Sequence, residues 1–153
     1  MKKYELTAEF IEQWGKKLFR IKALISFGSV EAGELGGYVE KEDNLAQDGD
    51  AWVYGNAEVC GNARVYDDAD YLLIGRIGSR FSFTTFFKNK DKGITVSCGC
   101  FLGTIAEFRA KVSDTHGNNK HAKIYNLAAD MAELQILGEE YFDKLNTNKS
   151  EPF

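Results

Sequence analysis

The sequence predicts a mixed α/β (α+β) fold in which a short β-helix of about two coils precedes a small lobe of strands and helices. Three observations lead to this prediction: a six-residue repeat near the middle of the chain, strand-like runs after it, and two helical segments with capping signals. The 153 residues are 44% hydrophobic and 27% charged, which is typical of a globular chain that buries a core.

The repeat lies in the stretch GDAWVYGNAEVCGNARVYDDAD, residues 49–70. Its triplets are Gly49-Asp50-Ala51, Gly55-Asn56-Ala57, Gly61-Asn62-Ala63 and Asp67-Asp68-Ala69. Glycine and asparagine tolerate the positive φ of a sharp corner, so a corner every six residues predicts a triangular solenoid. Alanine and valine are expected to point into it, and Trp52 to point out.

We expect four parts along the chain: residues 1–38, 39–71, 72–138 and 139–153. The first is an N-terminal cap, with a helix from Thr7 to Gly15 followed by a strand. The second is the β-helix. The third is an α+β lobe with a three-stranded sheet and two helices, the first of them opened by a capping box at Thr104. The fourth is a C-terminal tail with a short helical end.

Charge and cysteine content exclude several functions. The net charge of −4 disfavours direct binding to nucleic acid, and no apolar run is long enough to span a membrane. An odd number of cysteines, three, does not suit a secreted disulfide framework. We therefore expect a cytoplasmic protein without a cofactor, in the host cell cytoplasm if a phage encodes it.

A resemblance to known proteins enters through the stretch GELGGYVEKEDNLAQDGDAWVYGNAEVCGNARVY. Residues 31–70 resemble the start of the left-handed β-helix, hexapeptide-repeat-like proteins of bacteria and their phages. Residues 74–117 resemble a C-terminal module that is often appended to such repeats. The resemblance implies a short left-handed β-helix capped by an α+β module, and an origin in a mobile element. It implies no particular activity.

Hexapeptide acyltransferases have a similar repeat. The resemblance to them implies a trimer with an acyl-CoA groove and a general-base histidine that projects from a coil. Both histidines of this chain, His116 and His121, lie outside the repeat, and two coils are too short for the usual groove. An acyltransferase-like enzyme is therefore the second alternative function.

The turn Arg76-Ile77-Gly78-Ser79-Arg80 is the best candidate for an anion site. Its glycine and serine can expose backbone amides between two arginines, an arrangement that suits phosphate. Candidate ligand-binding residues are Arg76, Ser79, Arg80, Thr84 and Lys88. A protein that sequesters a nucleotide or phosphate is the first alternative function.

A metal site is weighed and not favoured. Its candidate ligands are Cys98, Cys100, His116 and His121. The histidine spacing is in the zinc range, but Cys-x-Cys is tighter than usual. Such cysteines are more often small hydrophobic core residues, and a catalytic cysteine–histidine pair lacks an obvious third group.

Aromatic and acidic residues on the repeat suggest an interface. The candidate interface residues are Trp52, Tyr54, Tyr66, Asp67, Asp68 and Asp70. Exposed aromatic rings suit a contact between proteins, but packing against the cap or the lobe would also cover them. The aspartates suit turns as well as an acidic surface that mimics nucleic-acid phosphates.

The main functional prediction is a non-enzymatic phage or mobile-element protein. It would self-associate as a dimer or trimer and bind a protein partner, such as a host nuclease or nucleic-acid-binding protein. Inhibition of a host defence system, in the manner of an anti-CRISPR protein, is its most concrete form. This prediction depends on the resemblance and the charge.

Overall fold

A computed structural model describes residues 2–150, with side chains described for residues 2–144. This part of the chain contains eight strands and three α-helices. The strands are β1 (Tyr4–Gln13), β2 (Lys16–Ala23), β3 (Leu35–Val39), β4 (Glu58–Val59), β5 (Tyr71–Ile77), β6 (Ser82–Lys88), β7 (Ile94–Cys98) and β8 (Phe101–Thr104). The helices are α1 (Ile105–His116), α2 (Lys120–Ala132) and α3 (Glu139–Ser150). The last three residues of the predicted tail, 151–153, lie outside the described residues.

The chain begins with a β-hairpin in which β1 and β2 pair antiparallel. Trp14 and Gly15, both at positive φ, form the tight turn between the strands. The helix predicted over residues 7–15 is therefore wrong. The Thr7 hydroxyl, which was expected to cap that helix, donates to the Arg20 carbonyl across the hairpin at 2.8 Å.

The predicted left-handed β-helix of about two coils over residues 39–71 is also wrong. These residues contribute one two-residue strand, β4, which pairs parallel with β3 in a sheet of order β1-β2-β3-β4. Further parallel pairing in the repeat is a bridge between Leu45 and Val65. A solenoid needs each coil to pair with the next, and this short repeat supplies few such pairs. The antiparallel strands β1 to β3 complete the sheet instead.

Trp52 lies at the centre of the first hydrophobic core. The valines of the repeat and its first three alanines are buried as predicted, whereas Ala69 is exposed. Trp52 is buried too, with 0% exposure, so the prediction that it faces solvent is wrong. Its ring makes edge contacts with Tyr4 and Phe27, at centroid distances of 6.2 and 5.3 Å. Gly36 passes so close that a Cβ there would lie 2.7 Å from Trp52 Cζ2.

The second sheet is an antiparallel meander of order β5-β6-β7-β8. It has four strands rather than the predicted three, because Gly99, at φ +56°, turns the run ITVSCGCF back on itself. The predicted hairpin turn at residues 89–93 is confirmed. Asn89 Oδ1 accepts hydrogen bonds from the backbone N–H groups of Asp91 and Gly93, at 3.0 and 3.1 Å.

Side-chain hydrogen bonds cap the N-termini of the two helices that directly follow the second sheet. The Thr104 hydroxyl accepts from the Glu107 amide at 3.1 Å, and the Glu107 carboxylate accepts from the Thr104 amide at 2.9 Å. This confirms the predicted capping box, and the bonds lower the pKa of Glu107. The Asn119 side chain caps α2 in a similar way. None of the helices described here is long and apolar enough to cross a membrane.

Hydrogen bonds join the two sheets at β4. The Glu58 amide donates to Thr85 Oγ1 at 3.1 Å, and the Glu58 carbonyl accepts from Ser97 Oγ at 2.8 Å. At the end of the repeat, the carbonyl of Tyr71, the first residue of β5, accepts from the Gln135 side chain at 2.7 Å. The repeat is thereby held between the N-terminal hairpin and the second sheet.

We predict that Gly36→Ala lowers the free energy of unfolding by roughly 3 kcal/mol, because overpacking a rigid core is costly. The added Cβ would lie 2.6 Å from the Val53 carbonyl oxygen and 2.7 Å from Trp52. Gly93→Ala is the matched control, since its Cβ meets only the Asn89 side chain, at 3.6 Å. Urea denaturation of both variants measures the difference. Equal stability of the two would contradict the packing described for Trp52.

Candidate functional site

Residues from four elements, β7, β8, α1 and α2, surround a small cavity at one end of the second sheet. Cys98, the last residue of β7, lies directly opposite Thr84 of β6. His116 ends α1, and Tyr125 belongs to α2. The cavity has a volume of about 110 Å³. It is lined by Cys98, Phe101, Phe108, Lys111, Val112, Thr115, His116 and Tyr125.

The Cys98 thiol receives a hydrogen bond from a neighbouring strand. Thr84, which is 1% exposed, donates its hydroxyl to Cys98 Sγ at 3.2 Å. Tyr125 lines the same cavity, and burial raises the pKa of its phenol to about 12. The phenol therefore stays protonated at neutral pH and remains a donor.

One histidine lines the cavity with this thiol, and a second lies next to the first. The His116 ring stacks on the Tyr125 ring, with centroids 5.9 Å apart and planes at 25°. The His121 ring is 5.4 Å from that of His116. His121 Nδ1 is buried and has no hydrogen-bond partner among the described residues. The cavity therefore has an imidazole at its edge and a second imidazole next to the first.

The Arg76–Arg80 turn packs over Tyr125. A Cβ on Gly78 would lie 1.7 Å from the Tyr125 hydroxyl oxygen, so only glycine leaves room for the phenol. Arg76, Ser79 and Arg80 are exposed around this contact. The predicted anion-binding turn and Thr84 are thus brought close to the thiol.

Lys88, the fifth predicted ligand residue, lies elsewhere. It is at the opposite end of β6 from the turn, where its ammonium is 3.8 Å from Asp70. Its backbone carbonyl accepts from the Arg64 amide at 2.8 Å. The structure does not group it with the other four candidates.

The four candidate metal ligands do not converge. Cys98 and His116 line the cavity, His121 lies behind His116, and Cys100 is exposed on the β7–β8 turn. Within residues 2–150 no three His, Cys, Asp or Glu side chains are placed to hold a metal ion.

The predicted interface residues fall into two groups. Tyr54 and Tyr66 are exposed, at 42% and 57%, whereas Trp52 belongs to the core. The aspartates all accept bonds from backbone amides: Asp67 from Ala69, Asp68 from Trp52, and Asp70 from Tyr66 and Asp67. Asp67 and Asp70 therefore stabilise a local turn, whereas Asp68 joins two distant parts of the repeat through the Trp52 amide. Self-association through this surface stays a prediction.

Three clefts in the described part of the chain are larger, and the two largest are less suited to chemistry. One, of about 620 Å³, is lined by Glu42, Asp43, Leu45, Ala46, Gln47, Asp48, Gly49 and Tyr66. Its acidic side chains would repel an anionic ligand. The other, of about 520 Å³, is an apolar groove lined by Ile74, Ile124, Leu127, Ala128, Asp130, Met131, Leu134 and Phe142. Neither lining contains histidine or cysteine, so we take the Cys98 cavity as the candidate site.

Sequence reasoning missed Tyr125, which organises this site. Its position in α2 carries no motif, and its partners Cys98 and Gly78 are far away in sequence. The nearest signal was the Arg76–Arg80 turn, whose glycine turns out to fit around the phenol.

The fold and the cavity define an α+β protein with a thiol, a phenol and an imidazole at one small apolar site. No protein-family model matches the chain. An uncharacterized acetyltransferase of Escherichia coli K12, YdcK, is 36% identical over 80 residues. The similar region is 42% of this chain and 24% of YdcK, so it spans about a quarter of that relative's length.

This similarity corrects the functional prediction. The relative is named for an enzymatic activity, and nothing in the match points to a non-enzymatic protein that inhibits a host defence system. That prediction is therefore wrong. The second alternative, an acyltransferase-like enzyme, agrees better with the finding.

We predict that Gly78→Ala lowers the free energy of unfolding by roughly 2–4 kcal/mol, through its positive φ and its clash with Tyr125. Gly99→Ala is the control: its φ is also positive, at +56°, but its Cβ would meet nothing within 4 Å, so it bears only the backbone cost. Tyr125→Phe removes the atom at 1.7 Å and is expected to restore part of the stability lost in Gly78→Ala. A double-mutant cycle measured by thermal unfolding checks this. Additive effects of the two changes would contradict the contact.

Proposed function

We propose that this protein is an acyltransferase-like enzyme that takes a small acyl group from a thioester such as acetyl-CoA. The observation that carries this proposal is the similarity to an acetyltransferase over 42% of the chain. The resemblance of residues 31–70 to hexapeptide-repeat-like proteins supports it, since acyltransferases share that repeat. The acceptor would be a small molecule with an amine or a hydroxyl group.

The Cys98 cavity suits the acyl end of such a substrate. Phe101, Phe108 and Val112 form an apolar wall, and a cavity of about 110 Å³ has room for a short acyl chain only. Shielding from water protects a thioester from hydrolysis. The cavity therefore favours small acyl groups over long ones.

His116 is the candidate general base. The acyltransferases that share the repeat use a histidine from a coil, but residues 1–115 of this chain contain none. His116 lines the cavity and is held against Tyr125. Its imidazole would take the proton of the attacking group as the new bond to the acyl carbon forms. The C–S bond of the thioester breaks, and the proton passes to the departing thiolate.

The Arg76–Arg80 turn suits the phosphate end of the donor. Its two arginines are exposed, and its glycine touches the phenol that lines the cavity. Guanidinium groups bind phosphate through paired charge-assisted hydrogen bonds. In this proposal Arg76, Ser79 and Arg80 hold the CoA phosphates while the acyl group lies near Cys98.

The first test is turnover of acetyl-CoA with a panel of small amines and alcohols. Chromatography of released CoA gives the rate without interference from the protein's own thiols. His116→Gln is expected to lower kcat roughly 100-fold or more, the usual effect of losing a general base, with little change in KM. His121→Gln is the matched comparison and is expected to keep most of the turnover, because its ring does not line the cavity. Absence of turnover with every acceptor, together with no binding of acetyl-CoA in calorimetry, would contradict the proposal.

The second test separates the two ends of the donor. The double variant Arg76→Gln/Arg80→Gln is expected to raise KM for acetyl-CoA roughly 10-fold, the effect of losing hydrogen bonds to a charged group. KM for acetyl-N-acetylcysteamine, a thioester without phosphates, should not change. Lys88→Gln serves as the control, since Lys88 lies at the far end of β6. Equal effects on both donors would show that the turn does not bind phosphate.

A further inference from the structure

We propose that Cys98 is an acyl-accepting nucleophile, so that the acyl group is held as a covalent thioester inside the cavity before it reaches its acceptor. This inference depends on the proposed acyl transfer and specifies its course. Two observations support it independently: a cavity lined by Cys98, and the Thr84 hydroxyl that donates to its sulfur.

The surroundings of Cys98 suit a sulfur that carries negative charge. Thr84 donates to it from a buried position, and the Tyr125 phenol lines the same cavity. Lys111 and His116 also line the cavity and add positive charge or proton-accepting capacity. Thiols that attack acyl groups occupy partly exposed, electropositive sites of this kind, and Cys98 is half-buried.

The other two cysteines provide an internal comparison. Cys60 is 2% exposed, and burial raises the pKa of its thiol to about 12, so it remains a neutral core residue. Cys100 is exposed on the β7–β8 turn and does not line the cavity. Of the three, only Cys98 combines access, a hydrogen-bond donor and an apolar space for an acyl chain.

The chemistry balances without an oxidant or reductant. The Cys98 sulfur attacks the carbonyl carbon of the acyl-CoA thioester, and His116 takes the thiol proton. The bond between that carbon and the CoA sulfur breaks, and the CoA thiolate receives the proton. One thioester is exchanged for another, and the acceptor then attacks the acyl group on Cys98 and regenerates the free thiol.

The acyl chain in this intermediate would lie against Phe101 and Phe108. These rings pack on one another with centroids 5.8 Å apart, and Phe108 also packs edge-on against Tyr125 at 5.6 Å. The aromatic rings that line the cavity are therefore closely packed against one another. A short chain fits there, whereas a long one would have to displace the rings.

The experiment is acid-quenched labelling of the full-length protein with radiolabelled acetyl-CoA in the absence of an acceptor. Wild type and Cys100→Ser are expected to take up one acetyl group, which neutral hydroxylamine releases as a thioester does. Cys98→Ala is expected to lose the label. In Cys98→Ser the serine hydroxyl remains a hydrogen-bond partner for Thr84. Any acetyl group bound to that serine would be an oxygen ester, so it should resist neutral hydroxylamine. Peptide mass spectrometry locates the label, and thermal unfolding confirms that each variant is folded.

The outcomes distinguish this inference from the proposed function. If Cys98→Ala transfers the acetyl group to an acceptor and releases CoA at the wild-type rate, the acyl group passes directly and the covalent step is overturned, while acyl transfer stands. Labelling of Cys100 instead of Cys98 also overturns it. If wild type neither binds nor consumes acetyl-CoA, the proposed function itself fails. Loss of both label and turnover in folded Cys98→Ala supports the inference.

Discussion

The burial of the Trp52 indole is the constraint on which the first half of the structure depends. Its ring fills the space between the N-terminal hairpin and the repeat, with Tyr4 and Phe27 against its faces and edges. Such a large apolar side chain stabilises a small core strongly, but only if the surrounding backbone leaves room for it. Gly36 leaves that room, and β3 can therefore lie beside both β2 and the repeat. The mixed sheet β1-β2-β3-β4 follows from this packing.

A similar fit governs the second half. The phenol of Tyr125 lies under Gly78, stacks on His116 and lines the cavity with Cys98, so one side chain contacts a turn and both helices around the site. Because the surrounding aromatic rings are closely packed, the cavity next to Cys98 is small and mostly apolar. A polar or long ligand is poorly matched to it. A short acyl group, carried on a larger molecule that remains outside, matches it well.

The site also shows why a repeat alone is a weak guide to chemistry. The resemblance to hexapeptide-repeat proteins concerns residues 31–70. The side chains that could take part in a reaction are those of Cys98, His116 and Tyr125, which all lie beyond that segment. The repeat instead supports the second sheet: Glu58 bonds to Thr85 and Ser97 on the strands that carry Thr84 and Cys98. Fold and chemistry are thus contributed by different parts of one chain.

Local features were predictable from the sequence because their partners are close along the chain. The strand β2, the Asn89 turn, the Thr104 capping box and the inward-facing valines depend on neighbouring residues or simple periodicity. Contacts between distant surfaces decided the first hairpin, the structure that the repeat adopts and the burial of Trp52. The periodicity of the sequence carries no information about such contacts. The candidate site was predicted in pieces: the turn, Thr84, Cys98 and His116 were each singled out, but Tyr125 was not. Only the tertiary structure brought them together, because the residues that line a cavity are far apart in the sequence and their contacts leave no local pattern in it.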